Sequence, residues 1–155
     1  MAEHGATITW HLAPRAEFTV EHYNRDHEWT FPGGEVVQAS ASRDFNGTPS
    51  RVSPEEALVA STSSCHMLTF LALAAKKNYR VLSYVDNPVG MLARNDNGDQ
   101  AITEISLRPR VVFAEETPVE EDDFNTLHQE ARRICFVANT LNATIKLEPV
   151  LPKLD

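Results

Sequence analysis

Two thiols carry the chemistry this chain can do. Cys65 lies in the run Ser64-Cys65-His66-Met67-Leu68-Thr69-Phe70, and the only other cysteine stands seventy positions on, in Ile134-Cys135-Phe136. Each falls in a segment with helical signals. A zinc site composed of Cys65, His66, His128 and Cys135 would need ligand spacings of the Cys-x-x-Cys or His-x-x-x-His kind, and neither occurs. Thiol redox chemistry is the reading that remains, set against two inert thiols packed in a core, since cysteine is among the most often buried residues.

Reactivity has a physical condition. A free thiol has a pKa of about 8.5 and is mostly protonated at neutral pH, and burial raises it further. Cys65 sits twelve positions past Ser53, the expected N-cap of its helix. The positive end of a helix dipole fades within the first turn, so a cation must reach Cys65 from elsewhere.

Composition bounds the rest. With 155 residues, 42% hydrophobic and 23% charged, the chain is expected to form one domain, 1–155, with room for a pocket. A formal net charge of −8 and the absence of a basic cluster argue against nucleic acid or an anionic membrane surface as partner. The segment Met1 to Trp10 has neither the basic start nor the apolar run of a secretory signal, which gives a cytoplasmic, reducing expectation in which permanent disulfides are rare. Residues 57–75 lack Asp, Glu, Lys and Arg, yet their middle, Ser61 to His66, is too polar for lipid, so a helix buried in protein is expected.

The elements that must position the thiols follow from periodicity. Ala6, Ile8 and Trp10, then Phe18, Val20 and His22, alternate as strands, and Pro32-Gly33-Gly34 turns the chain before Val36 and Val37, giving a small antiparallel sheet. Ser53-Pro54-Glu55-Glu56 reads as a capping box with proline at the first helical position. That helix should run to about Lys77, with Asn78 ending it. Two strands follow, Val81 to Val85 continuing through Pro88-Val89-Gly90, and Ile105 to Phe113 after the turn Asn95-Asp96-Asn97-Gly98. Thr117-Pro118-Val119-Glu120 reads as a second capping box, opening a helix striped by Phe124, Leu127, Ala131 and Ile134. His128 lies seven positions before Cys135, on nearly the same side of that helix. A closing strand, Thr144 to Glu148, completes an α+β order.

These residues resemble one family. Pro54-Glu55, with Cys65 ten positions later in SSCHMLTFLALAAKK, and Cys135 in RRICFVAN before a last short strand, look like the OsmC/Ohr thiol hydroperoxide reductases over essentially the whole chain. The resemblance implies an OsmC-like fold, antiparallel sheets around two main helices, and an intertwined homodimer with sites at the subunit interface. It also implies Cys65 as the peroxidatic thiolate, Cys135 as the resolving thiol and an arginine held by Glu55 as the activating cation. The substrate would be an organic, and at the margin an inorganic, hydroperoxide. An external dithiol would restore the thiols, with no metal, flavin or haem required. The alternative is a non-catalytic module holding a hydrophobic small molecule in the dimer cleft.

Arg25, in the loop Tyr23-Asn24-Arg25-Asp26-His27, stands where the family carries its arginine, and Arg15, Arg43 and Arg51 are the other candidates; the bland alternative pairs Arg25 with Asp26 or Glu28 at the surface. On one straight helix Glu55 and Cys65 are separated by roughly 15 Å and about 80° of rotation. Either the arginine bridges them, the helix breaks near Ser61 to Ser64, or they meet across a dimer. His66, about 100° round the helix from Cys65, is expected at solvent or an interface, and His128 as a hydrogen-bonded, partly buried histidine. Two departures, His66 in place of an aromatic residue and Phe136-Val137-Ala138 after Cys135, set the chain nearer a general OsmC-like protein than the Ohr branch.

Overall fold

The computed structural model describes residues 1–152, so 153–155 of the expected 1–155 domain lie outside the described residues. The chain divides into two compact units, Met1–Ala57 and a second from Leu58 onward.

In the first unit β1 (Thr7–Thr9), β2 (His27–Thr30) and β3 (Val36–Ala39) form an antiparallel sheet in that order, with Ile8 opposite Trp29 and Trp29 opposite Val37. The expected turn closes the β2–β3 hairpin, Gly34 N–H donating to the Phe31 carbonyl at 2.9 Å. Phe18 to His22 is not a strand. The Thr19 carbonyl accepts from the N–H groups of both His22 and Tyr23, while Glu17 accepts from Thr19 Oγ1 and binds His22 Nδ1 at 3.0 Å, local bonds that compete with a ladder. After β3, Gly47 packs so closely on the chain that a Cβ would sit 1.6 Å from the Ala41 carbonyl oxygen, which only glycine permits.

Helix α1 (Pro54–Lys76) is capped at both ends as its sequence predicts. Glu56 Oε2 accepts from Ser53 N–H at 2.8 Å and Ser53 Oγ accepts from Glu56 N–H at 3.2 Å. Asn78, at φ 60°, ends the helix in a left-handed turn, with Tyr79 N–H donating to Ala74 and Asn78 N–H to Ala75. Its buried residues, Thr62, Ser63, His66, Phe70 and Ala74, form a single stripe, and Leu68 is 61% exposed. One chain thus buries less of this helix than the sequence suggested. By length and composition α1 is also apolar enough to cross a membrane, but three of the five stripe residues are polar.

In the second unit four strands replace the expected two. β4 (Val81–Val85) pairs antiparallel with β7 (Arg110–Phe113), and β5 (Val89–Arg94) antiparallel with β6 (Gln100–Leu107). The breaks fall at Pro88 and Pro109, which have no N–H to give a ladder. The Asn95–Gly98 turn forms as expected, with Gly98 at φ 85°. β8 (Thr144–Leu147) lies parallel to β6.

Helix α2 (Glu121–Ile134) starts later than its capping signal. Thr117 Oγ1 accepts from Arg80 N–H at 3.0 Å and donates to the Ala114 carbonyl, so it is not free to cap. The helix is instead headed by Glu121, Asp122 and Asp123 and ended by Arg132 and Arg133, matching its dipole. Its buried stripe is Phe124, Leu127, His128 and Ala131, with Ile134 at the margin, 37% exposed. A short α3 (Phe136–Thr140) follows, which the sequence did not signal. The core of this unit joins Phe70 and Ala74 of α1, Val111 and Phe113 of β7, and Phe124, Leu127 and Ala131 of α2.

Candidate active site

The second unit brings the two cysteines together. Cys65 is half-buried midway along α1, whereas Cys135 is fully buried at the bend where α2 gives way to α3. The bend follows from Cys135 itself, whose extended backbone (ψ 113°) stops α2 while its Sγ caps α3 by accepting from Ala138 N–H at 3.5 Å. Both thiols are free, and their sulfurs are 2.8 Å apart. A disulfide is about 2.05 Å long, so bonding needs a movement of less than about 1 Å.

The two thiols sit in different environments. Burial first, then the hydrogen bond to Cys65 and the charge Cys65 acquires, push Cys135 up to about 11, against a smaller opposing effect of the Ala138 and Val137 N–H groups. Cys135 is therefore a thiol at neutral pH and a poor first nucleophile. The more exposed Cys65 is the one an outside oxidant can meet.

A second pair, one residue on from Cys65, crosses from α1 to α2. His66 is 1% exposed, not at solvent as its position beside Cys65 suggested, because it occupies the four-residue stripe of Thr62, Phe70 and Ala74. Its Nε2 is 3.0 Å from Nδ1 of His128, which is also 1% exposed and hydrogen-bonded as expected, though more deeply buried. Phe70 stacks on His128 at 4.2 Å and Phe124 meets it edge-on at 4.6 Å. Burial lowers His66 to about 4, with Asp86 pulling upward and Arg132 downward; burial and then His66 lower His128 to about 3. Both imidazoles are neutral near pH 7.

Asp86 escaped the sequence reading. It accepts from Ser63 Oγ at 2.5 Å and from Arg108 N–H at 2.7 Å, joining α1 to both proline-broken strand ends. Nothing in Val85-Asp86-Asn87-Pro88 signals this beyond a turn-forming residue before proline. Among the described residues no cluster of three or more His, Cys, Asp or Glu side chains could hold a metal ion. A cavity of about 510 Å³ lined by Val111, Phe113, Val119, Phe124 and Leu151 lies at the other end of α2, since Phe124 is eleven residues, roughly 16 Å, from Cys135. Leu68, three positions after Cys65, and Phe136, directly after Cys135, are 61% and 84% exposed.

The charged candidates lie in the first unit. Arg25 donates to the Tyr23 and Val20 carbonyls at 2.8 and 2.6 Å and sits 4.1 Å over the Tyr23 ring, rather than pairing with Asp26 or Glu28. Its charge is thus left without a carboxylate partner among the described residues. Arg51 is instead engaged by Asp26 at 3.1 Å. Arg15 adopts a left-handed backbone and Arg43 lies in a 3-10 turn. Glu55 stands in the first turn of α1, and its Oε2 is buried without a hydrogen-bond partner. Because α1 runs uninterrupted past Ser61 to Ser64, a helix break does not bring Glu55 to Cys65.

A mixed α+β chain that apposes a thiol on its long helix to one at the end of the next helix defines a class, and comparison with known proteins gives that class a name. The model of the OsmC-like protein family matches residues 47–150. An OsmC-like protein of unknown function from Vibrio cholerae is 40% identical, with a TM-score of 0.94 over 97% of this chain and all of that one. An OsmC-like protein from Mycoplasma pneumoniae (15% identity, TM-score 0.75, 98% and 99% of the chains) shares the fold. So does an organic hydroperoxide resistance protein from Elizabethkingia anophelis with thiocyanate bound (14%, 0.72, 99% and 98%). No curated protein matches the sequence. The chain belongs to the OsmC-like protein family and has the OsmC-like fold.

Proposed function

We propose that this protein is a thiol peroxidase that reduces organic hydroperoxides. The observation that carries the reading is the 2.8 Å approach of a half-buried Cys65 to a fully buried, protonated Cys135. The Cys65 thiolate attacks the distal oxygen of ROOH; the O–O bond breaks, the alkoxide leaves and takes a proton as ROH, and Cys65 becomes a sulfenic acid. Cys135 sulfur then attacks Cys65 Sγ, the S–S bond forms, and the sulfenic oxygen leaves as water with the proton Cys135 gives up. An external dithiol reduces the disulfide by exchange. None of these steps calls for a metal, flavin or haem.

Three further parts belong to the same proposal. Arg25, with no carboxylate partner of its own, supplies the activating cation, and Glu55, whose buried oxygen lacks a donor, anchors it. The working unit is a homodimer, which the exposed side of α1 favours, since an apolar helix left largely uncovered by its own chain needs a partner. The compartment is a reducing one such as the cytoplasm, where two thiols survive. That the Elizabethkingia relative is named an organic hydroperoxide resistance protein agrees with the choice of substrate, as do the exposed apolar Leu68 and Phe136 near the cysteines in sequence.

The experiment is to follow cumene hydroperoxide consumption with dithiothreitol as reductant. Cys65→Ser should abolish it. Cys135→Ser, pre-reduced and freed of dithiothreitol, should retain one turnover per subunit and trap a sulfenic acid. Equal loss of that first turnover in both variants would overturn the assignment of roles, as would parental consumption by Cys65→Ser, and a parent that consumes no hydroperoxide above the dithiothreitol background would leave the non-catalytic alternative.

A further inference from the structure

The thiol pair joins α1 to the end of α2, where Cys135 caps the helix, and the register between these two elements has few directional supports. Phe70 meets Phe124 and His128 by ring contacts, at 6.2 and 4.2 Å, which slide at little cost. Just past the end of α1, Tyr79 OH donates to Asp123 Oδ2 at 2.9 Å and Lys77 lies 3.7 Å from Asp123, but that anchor is at the far end from the thiols; within the two helices, among the described residues, the one side-chain hydrogen bond that joins them is His66 Nε2 to His128 Nδ1, 3.0 Å long. His66 directly follows Cys65, and His128 precedes Cys135 by two helical turns on nearly the same side.

This pair is not the arrangement a plain core would choose. It occupies the stripe shared with Phe70, Phe124, Leu127 and Ala131, where two aliphatic side chains would pack without penalty, and it leaves His66 Nδ1 and His128 Nε2 buried without partners. Burying unpartnered nitrogens is unfavourable, and what is gained is direction: one N–H donor facing one lone pair at a fixed distance.

We infer that the His66–His128 hydrogen bond is the positioning element of the thiol pair, a second bridge between α1 and α2 that keeps Cys65 and Cys135 at bonding approach and sets how readily they close to a disulfide. Pinning His66 fixes the rotation of α1, and Cys65, about 100° round the helix, is thereby turned toward Cys135. Closure removes two electrons and two protons from the thiols; an oxidised dithiol accepts both and opens to its reduced form. The inference rests on the two-thiol part of the proposed function but not on hydroperoxide as the oxidant.

The test is the thiol–disulfide equilibrium of the full chain in mixtures of oxidised and reduced dithiothreitol, read by alkylation and mass after each variant is shown to be folded by circular dichroism. His66→Leu and His128→Leu should each lower the closure constant by about tenfold, the value of one lost hydrogen bond. His66→Gln, which offers a group near Nε2, and His128→Asn, which offers one near Nδ1, should stay within about threefold of the parent by the same scale. The double variant H66L/H128L leaves no orphaned nitrogen, so it should fold well and still show the tenfold loss. A parental closure constant in H66L/H128L would overturn the inference, as would a tenfold loss in His128→Asn or His66→Gln, and as would a parent that forms no Cys65–Cys135 disulfide. A parent that closes in dithiothreitol but ignores hydroperoxide defeats the peroxidase reading alone, and one that consumes hydroperoxide while every folded histidine variant closes like the parent defeats this inference alone.

Discussion

Lowering the pH from about 7.5 to about 5 should destabilise the folded chain by about 4 kcal/mol through two residues. His66 and His128 are held neutral by burial, at about 4 and about 3 against an ordinary 6.5, and the unfolded chain regains the ordinary value. Their contribution is therefore complete above pH 6.5, starts to go as the pH falls below it, and is fully lost once the pH is under the folded values. At about pH 5 each unfolded imidazole is almost wholly protonated while neither folded one is, so each costs about 1.5 units at 1.36 kcal/mol per unit, or about 2 kcal/mol. The two add because the folded pair carries no charge at that pH. Carboxylates do not confuse the window. Asp26, where burial works upward but Thr48, Ser40 and Arg51 prevail and lower it, loses stability only as the pH falls through the carboxylate range, and so does Glu116, lowered first by a backbone hydrogen bond. The assay is urea unfolding of the reduced protein followed by helical circular dichroism. With a slope of about 2 kcal/mol per molar, the midpoint should fall by about 2 M, and H66L/H128L should remove most of the fall. A midpoint that moves by less than about 0.5 M, or one that moves equally in the double variant, would refute the argument.

Three other outcomes follow from the same structure. Arg25→Ala should slow alkylation of Cys65 about tenfold or more at neutral pH and recover at alkaline pH, since the cation proposed to favour the thiolate is gone; Glu55→Ala should show a weaker form, and a parental pH profile in Arg25→Ala would transfer the role to another arginine. Asp86→Ala, which strips the acceptor from Ser63 and Arg108 N–H, should cost about 2 kcal/mol in urea unfolding, with Asp86→Asn costing about half, and a loss under about 0.5 kcal/mol would show that the contact is not structural. Light scattering at micromolar concentration should report a dimer, and Leu68→Glu should weaken it; a monodisperse monomer in the parent would contradict the role given to the exposed side of α1.

Local chemistry was the most legible part of the sequence. The Ser53–Glu56 capping box, the Asn78 stop and the Asn95–Gly98 turn each depend on a few adjacent side chains, and each formed as read. Thr117 carried an equally clear signal and failed because Arg80, remote in sequence, took its hydroxyl. Alternation misled at Phe18 to His22, where short-range bonds among Glu17, Thr19 and His22 outcompete a strand, and it merged strands that Pro88 and Pro109 divide. At the site, the pairing of Cys65 with Cys135 came from family resemblance, since no spacing rule brings residues seventy apart together. His66 was misplaced because its neighbour Cys65 was weighed ahead of its own helical period, although Thr62, His66, Phe70 and Ala74 at four-residue steps mark the buried stripe. Asp86 was invisible because its partners lie 22 and 23 positions away on other elements.

The central claim, that Cys65 is oxidised and Cys135 resolves it, is tested most directly by adding one equivalent of cumene hydroperoxide to the reduced protein, alkylating the remaining thiols and mapping the peptides. A Cys65–Cys135 disulfide within one chain, formed in proportion to the peroxide added, is the predicted result. Two alkylated cysteines, or Cys65 carried to sulfinic acid while Cys135 stays free, would contradict it.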